Sequence, residues 1–490
     1  LDVFMVIDEW RALYRNTLAQ VRSGEITRAR LDDAVRRVLR VKLRAGVFDR
    51  GLPSQRAARL GDVIGSPAHR EVARRAVRQS LVLLKNTGRV LPLQPGQRVL
   101  VAGDGADDIG KQSGGWTISW QGTGNANSDF PGGASILDGL REALNAIDGE
   151  VEYDADGEWS KRPDVAVVVF GEDPYAEYQG DLATLEFEPG DKRSLALLQK
   201  FEKASIPVVS VFLSGRPLWT NPEINASDAF VAAWLPGSQG AGVADVLVAD
   251  ADGKPRHDFS GRLSFSWPRD PLQGRLNPHH PDYDPLFPLG YGLDYAVGEE
   301  GPGSLVTDVA GTATADADVI SLYVGRPLPP WAVFINGDDG AAMMVAGAYA
   351  AHASGIVTAR AADMNVQEDA LQVEFSGTGT GRLMFTGPGL DLGEFGESAV
   401  LSLAVSQDEA PDRPLRLFVG DRSIDLAAQA GAFVGQGWTE VSVALACFAE
   451  EGANPGRVDV PFALESDGRT QIAFGDIRFV KEGEPSLSCD

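Results

Sequence analysis

Apolar and polar positions alternate along the chain in three different rhythms. The first runs over residues 1–50. Leu1-Asp-Val-Phe-Met-Val-Ile7 is apolar and rich in β-branched residues, which predicts a strand. Asp8 to about Gly24 reads as one helix. Thr27 predicts the N-cap of a second, with Leu31, Ala34, Val35, Val38 and Leu39 on one face and Gly46 as its stop. One strand and two amphipathic helices do not close a core. The pattern therefore implies the end of a larger fold whose earlier part precedes Leu1. The alternative is a small helical cap on the next domain.

Residues 51–65 read as a linker, and residues 66–300 follow a second rhythm. Buried strands are expected at Val99–Gly103, Asp164–Phe170, Pro207–Leu213 and Asp228–Trp234. Helices are expected near Val72–Asn86, Ala134–Ile147, Lys192–Lys203 and Gly240–Ala249. Strands alternating with helices predict an α/β domain with a parallel sheet covered on both faces. Such sheets bind ligands beyond the C-terminal ends of their strands.

From residue 301 to 490 the rhythm changes again. Short β-rich segments recur between Gly, Asp and Pro turns, at Val319–Val324, Ala332–Ile335, Ala370–Phe375, Gly381–Phe385 and Ala399–Val405. They continue at Leu415–Gly420, Thr439–Ala444, Val458–Leu464 and Ile472–Phe479. This spacing predicts an all-β sandwich or jelly roll.

Charge sharpens that last boundary. The 490 residues carry a formal net charge of −25. From Gly301 onward, 27 acidic residues face only 10 basic ones. A chain this acidic lacks the basic face of a nucleic-acid binder and the polybasic patch of a membrane-surface protein. No apolar run reaches the ~18–20 residues of a membrane span. Cys447 and Cys489 are the 2 cysteines, too few for a disulfide framework or a Cys-rich metal site. They are either two free thiols or one bridge. His69, His257, His279, His280 and His352 show no metal-ligand spacing, so no metal and no cofactor are expected.

Two strand-end segments carry candidate chemistry. After Val99–Gly103 comes Gly114-Gly-Trp-Thr-Ile-Ser-Trp-Gln-Gly122. It lacks the Gly-x-Gly-x-x-Gly spacing of a dinucleotide site. Trp116, behind two glycines in a long loop, suits stacking on a sugar ring; the plainer alternative is a plug in the domain core. After Asp164–Phe170 comes Gly171-Glu-Asp-Pro-Tyr-Ala-Glu177, followed by Asp181. A general acid for glycosidic cleavage is a carboxylic acid within reach of the leaving oxygen, and this loop offers four carboxylates. A solvated acidic turn is the alternative.

These segments together resemble glycoside hydrolase family 3, in its multi-domain β-glucosidase and exo-β-glucanase branch. Further landmarks are Ser80-Leu-Val-Leu-Leu-Lys-Asn86, Ser214-Gly-Arg-Pro217, Ala233-Trp-Leu-Pro-Gly-Ser238, Gly261-Arg-Leu-Ser-Phe-Ser-Trp-Pro268 and Pro288-Leu-Gly-Tyr-Gly292. The resemblance implies that residues 1–50 are the last strand and helices of a (β/α)8 barrel and that 66–300 are the following α/β sandwich domain. A galactose-binding-like domain would come last, serving glycan binding, dimerisation or bracing of the cleft. Trp331 and Trp438 are its aromatic candidates for sugar contact, with core packing as the alternative.

The family's retaining mechanism needs two carboxylates. The resemblance puts the nucleophile, an Asp, on a barrel segment upstream of Leu1. It matches Glu172 to the general acid/base, with Glu177 as runner-up, and Trp116 to an aromatic wall of the leaving-sugar subsite. Trp120 and Arg216 read as structural. The implied partners are β-glucosides, β-gluco-oligosaccharides and the barrel segment, with a homodimer left open, and the implied location is secreted or periplasmic. A non-catalytic carbohydrate-binding or assembly component is the competing class.

Overall fold

The computed structural model describes residues 1–490 except 7–9, 58–62, 178, 183, 190–191, 297–300, 310–317, 329–330, 346–348, 366–367, 394, 397, 450–454 and 490. The chain divides into two compact units, residues 1–73 and 74–490. No helix among the described residues is long and apolar enough to cross a membrane.

The first unit is helical. α1 spans Trp10–Ser23 and α2 spans Arg28–Arg44. Thr27 caps α2 as expected, its side chain accepting from Arg30 N at 3.3 Å. Residues 1–6 form no strand, contrary to the sequence expectation. A lone apolar segment has no neighbour here to pair its N–H and C=O groups with. Asp2 is instead held by Arg30 at 2.6 Å. Ile7, Asp8 and Glu9, the end of that strand and the start of the first helix as read from sequence, lie outside the described residues, as do 58–62 of the linker. A short helix, α3, occupies Pro53–Ala57.

Next comes α4, Pro67–Ser80, which ends where β1, Val82–Asn86, begins. The expectation of one helix over Val72–Asn86 is therefore corrected. The run Leu81–Leu84 is apolar on every side and wholly buried, which suits a strand between two packed layers better than an amphipathic helix.

The remaining strands of this sheet are β2 (Arg98–Ala102), β3 (Glu150–Tyr153), β4 (Val165–Gly171), β5 (Val208–Leu213) and β6 (Ala229–Trp234). Their spatial order is β1-β6-β5-β4-β2-β3. β2 to β6 run parallel as expected, whereas β1 joins β6 antiparallel. Side chains alternate across the sheet. Val99, Val101, Val167, Val211 and Val231 face α6 (Ile136–Asn145) and α9 (Ala241–Leu247). Leu100, Val168, Phe170, Phe212 and Phe230 face the opposite layer, with α7 (Arg193–Lys203) and Trp267.

The strand order creates a switch point. The chain leaves β2, forms the edge strand β3 on one side, then returns to β4 on the other. The C-terminal ends of β2 and β4 therefore open into a crevice where no crossover covers them, the usual ligand position of a doubly wound sheet.

Residues 319–480 form a β-sandwich. One antiparallel sheet centres on the long strand Arg469–Val480, and the other on Phe462–Ser466 and Gly381–Thr386. A single apolar core lies between them, including Phe375, Phe385, Phe462 and Phe474. Trp331 packs into that core, 9% exposed. Trp438 is half-buried and donates from Nε1 to Asp363 O at 3.0 Å. Cys447 and Cys489 form a disulfide.

Candidate active site at the β2–β4 switch point

Both loops singled out by sequence emerge at this crevice. The loop after β2 enters a short helix, α5 (Ile109–Ser113), capped by Asp108, which accepts from Lys111 N at 2.8 Å. It then makes a tight excursion closed by Trp116 N donating to Trp120 O at 2.8 Å. Trp116 stands on this turn with a positive φ of 59° and is 69% exposed, while its ring lies 5.9 Å from that of Trp120. An exposed indole in strained backbone fits a binding surface and not a core plug. Gly115 is required by the crossing of the two loops. A Cβ there would sit 1.9 Å from Tyr175 O.

The loop after β4 begins at Glu172, whose N–H extends the sheet by donating to Leu213 O at 2.9 Å. Its carboxylate is enclosed by donors. Arg216 Nε and Nη2 reach Oε1 at 3.0 and 2.8 Å. Ser214 Oγ and Tyr175 Oη reach Oε2 at 2.9 and 3.2 Å. The Glu172 side chain is only 12% exposed. The Arg216 guanidinium also lies 4.2 Å over the Tyr175 ring and donates to Gly180 O. Burial, then the adjacent Glu172 charge, pushes the Tyr175 phenol up to about 12, so Tyr175 stays a donor at any physiological pH.

Glu177 has a different environment. It is exposed, and no hydrogen bond or ion pair engages its carboxylate among the described residues. Its backbone is held firmly. Gln121, 2% exposed, accepts from Ala176 N at 2.7 Å and donates to Glu177 O at 3.2 Å. One buried side-chain amide thus fastens the two loops and sets where Glu177 projects.

The four carboxylates expected to crowd this strand end are separated. Glu172 goes to Arg216, and Asp173 goes to Lys111 Nζ at 3.0 Å. Burial alone would raise the Asp173 carboxyl, but Lys111 and Arg326 overcome it and hold Asp173 below the usual carboxylate range. Lys111, 3% exposed, also pairs with Asp104 at 2.7 Å. Glu177 and Asp181 remain exposed. Gln121, Tyr175 and Ser214 were not singled out from sequence as site residues. The Ser-Gly-Arg motif at 214–216 was the available signal for Ser214.

A second buried acidic region lies under the same sheet, at α8 (Asn221–Asn225). Glu223 is 0% exposed, and neither of its carboxylate oxygens has a hydrogen-bond partner among the described residues. Burial pushes its carboxyl up to about 7, against a smaller opposing pull from Lys192. Among the described residues no cluster of acidic, His and Cys side chains could hold a metal ion.

Comparison with known proteins agrees with this architecture. Residues 81–295 match the glycosyl hydrolase family 3 C-terminal domain, and residues 329–479 match a galactose-binding domain-like family. The chain is 35% identical over 302 residues to a lysosomal beta glucosidase of Dictyostelium discoideum, covering 56% of this chain and 35% of that protein. It is 31% identical over 343 residues to a periplasmic beta-glucosidase of Salmonella typhimurium, covering 59% and 43%. The crystal structure of an exo-1,3/1,4-beta-glucanase from a Pseudoalteromonas species superposes with a TM-score of 0.61 at 37% identity, covering 100% of this chain and 60% of that one. The chain thus spans less than two thirds of each of these relatives. Residues 81–295 are thus a glycosyl hydrolase family 3 C-terminal domain followed by a galactose-binding-like domain, an order and fold that match the multi-domain branch of that family.

Proposed function

We propose that this chain contributes the second-domain wall of a retaining β-glucosidase or exo-β-glucanase site that releases glucose from non-reducing ends. The nucleophilic Asp would come from a (β/α)8 barrel, whose end the family resemblance assigns to residues 1–50. The relatives' names support the substrate class. The Cys447–Cys489 disulfide supports a location outside the reducing cytoplasm.

The observation that carries the reading is the pairing, on neighbouring strand-end loops, of an exposed indole with an exposed, rigidly mounted carboxylate. Trp116 would stack on the leaving sugar. Glu177 would protonate the glycosidic oxygen and then activate water. Glu172 matches the acid/base by motif, but it is bound on both oxygens to Arg216, Ser214 and Tyr175. With both oxygens taken up by these donors, neither is free to meet a leaving oxygen unless Arg216 withdraws. We therefore assign Glu172 the anchoring of the loop and Glu177 the proton transfer.

The test compares Glu177→Gln with Glu172→Gln in the barrel-bearing enzyme, using aryl β-glucosides of graded leaving-group acidity. The expected outcome for Glu177→Gln is a loss of roughly 10²–10⁴-fold with poor leaving groups and far less with activated ones. Azide should restore its turnover as a glycosyl azide. If that signature appears in Glu172→Gln instead, the roles of the two residues are exchanged. If neither variant shows it, the hydrolase reading of this loop is wrong.

A further inference from the structure

The Trp116 turn and the Glu177 loop are each rigid by themselves. In the first, Asn125 Nδ2 donates to Thr117 O at 3.0 Å and to Gly122 O at 3.1 Å. Gly122, at φ 76°, closes this turn so tightly that a Cβ would lie 2.3 Å from Gly114 O. In the second, Gly180 N donates to Ala176 O at 3.0 Å and Gln179 N donates to Glu177 O at 2.9 Å. Arg216 holds the far end through Gly180 O.

One side chain joins the two. Gln121 directly follows Trp120, whose carbonyl accepts from Trp116 N. Its amide turns both of its functions to the other loop: Oε1 accepts from Ala176 N at 2.7 Å, and Nε2 donates to Glu177 O at 3.2 Å. At 2% exposure, solvent does not compete for these bonds. An apolar side chain of the same length would fill the space equally well, but it would leave Ala176 N without this acceptor.

We propose, on the reading of Glu177 as the proton donor, that Gln121 is a positioning residue that makes the Trp116 wall and the Glu177 carboxylate one rigid body. A leaving sugar stacked on Trp116 then presents its glycosidic oxygen to Glu177 with no further adjustment of either loop. The joint therefore turns recognition of the leaving sugar into rate. Without it, stacking on Trp116 persists while the carboxyl drifts from the oxygen, and a displacement of about 1 Å costs on the order of 10²-fold. The loss falls on kcat and spares KM, because binding of the ground state is unchanged. Leaving groups that depart without a proton are indifferent to it.

The test uses the barrel-bearing enzyme with cellobiose, laminaribiose and dinitrophenyl β-glucoside. Gln121→Met should lower kcat for both disaccharides about 30-fold, with KM within about twofold. Its kcat/KM for the dinitrophenyl glucoside should fall by less than about threefold. Gln121→Glu keeps an acceptor for Ala176 N and should recover part of the loss; it also serves if the Met variant does not fold. Trp116→Ala should cost far less in the Gln121→Met background than in the parent, because the two residues act as a unit. Gln112→Met is the control. Gln112 is also buried, but its amide serves Ala134 O, Gly237 O and Ile136 N. Melting temperatures should fall for both Met variants, and only Gln121→Met should separate the substrates. The proposal is overturned if Gln121→Met slows all three substrates alike, if KM carries the loss, or if the effects of Trp116→Ala and Gln121→Met simply multiply. If Glu177→Gln shows its leaving-group signature and Gln121→Met does not, Glu177 remains the proton donor and Gln121 is only structural. If neither shows it, both assignments fail.

Discussion

Glu172 and Glu223 both lie largely out of solvent in the same domain, yet their surroundings are opposite. Glu172 receives four donor contacts from three residues, and Glu223 receives none among the described residues. A carboxylate supplied with donors can be buried as a charge and used as a fixed point for a loop. A carboxylate without them keeps its proton, or loses it at a cost that depends on pH. The first region is therefore mechanical in its effect, and the second is a latent sensitivity of the fold.

The largest effect should come from breaking the satisfied region. Arg216→Ala leaves Glu172 with a poorly compensated charge and frees Gly180 O. It should lower unfolding free energy by about 3 kcal/mol in urea titration. The double variant Glu172→Gln with Arg216→Met should recover part of that loss, because no uncompensated charge remains. An unchanged midpoint for Arg216→Ala would mean that the pair holds nothing together.

The next effect sharpens the other side. The folded Glu223 carboxyl sits near 7 and the unfolded one near 4.5. Its contribution is fully present below about pH 4.5, declines as pH rises towards 7, and stays lost above. Glu223→Gln should match the parent near pH 4 and exceed it by about 3 kcal/mol near pH 8. Parallel pH profiles for the two proteins would remove Glu223 as the titrating group. The smallest effect should be that of Ser214→Ala. This removes one of four contacts to Glu172 and should cost about 1 kcal/mol by the same urea measurement.

Four of the five parallel strands of the α/β domain were legible to within a residue or two, because β2, β4, β5 and β6 are short apolar runs that only a sheet covered on both faces accommodates. Val82–Asn86 was misread because an apolar run does not reveal its direction or its partner, and here the helix before it hides the boundary. β3, Glu-Val-Glu-Tyr, was missed because two carboxylates in four residues mask an edge strand. In the sandwich, Val357–Ala362 escaped notice because its alanines carry little β signal. The site was half legible. Glu172, Glu177 and Trp116 all fall at the switch-point crevice, but nothing in the sequence says which glutamate Arg216 will occupy. That is decided by β5 lying next to β4, a long-range neighbour relation.

The same β3 has a consequence for how the chain behaves among copies of itself. A sheet of this order has two open sides. On one, Leu293 N donates to Leu83 O and closes part of the β1 ladder. On the other, β3 offers only four residues, and Glu150 and Glu152 stand along them. A second chain seeking to add a strand there would bring its own charge, in a protein of net −25, against those carboxylates. The strand that was hardest to see in the sequence is thus a guard against sticking, keeping a strongly apolar sheet from recruiting its neighbours.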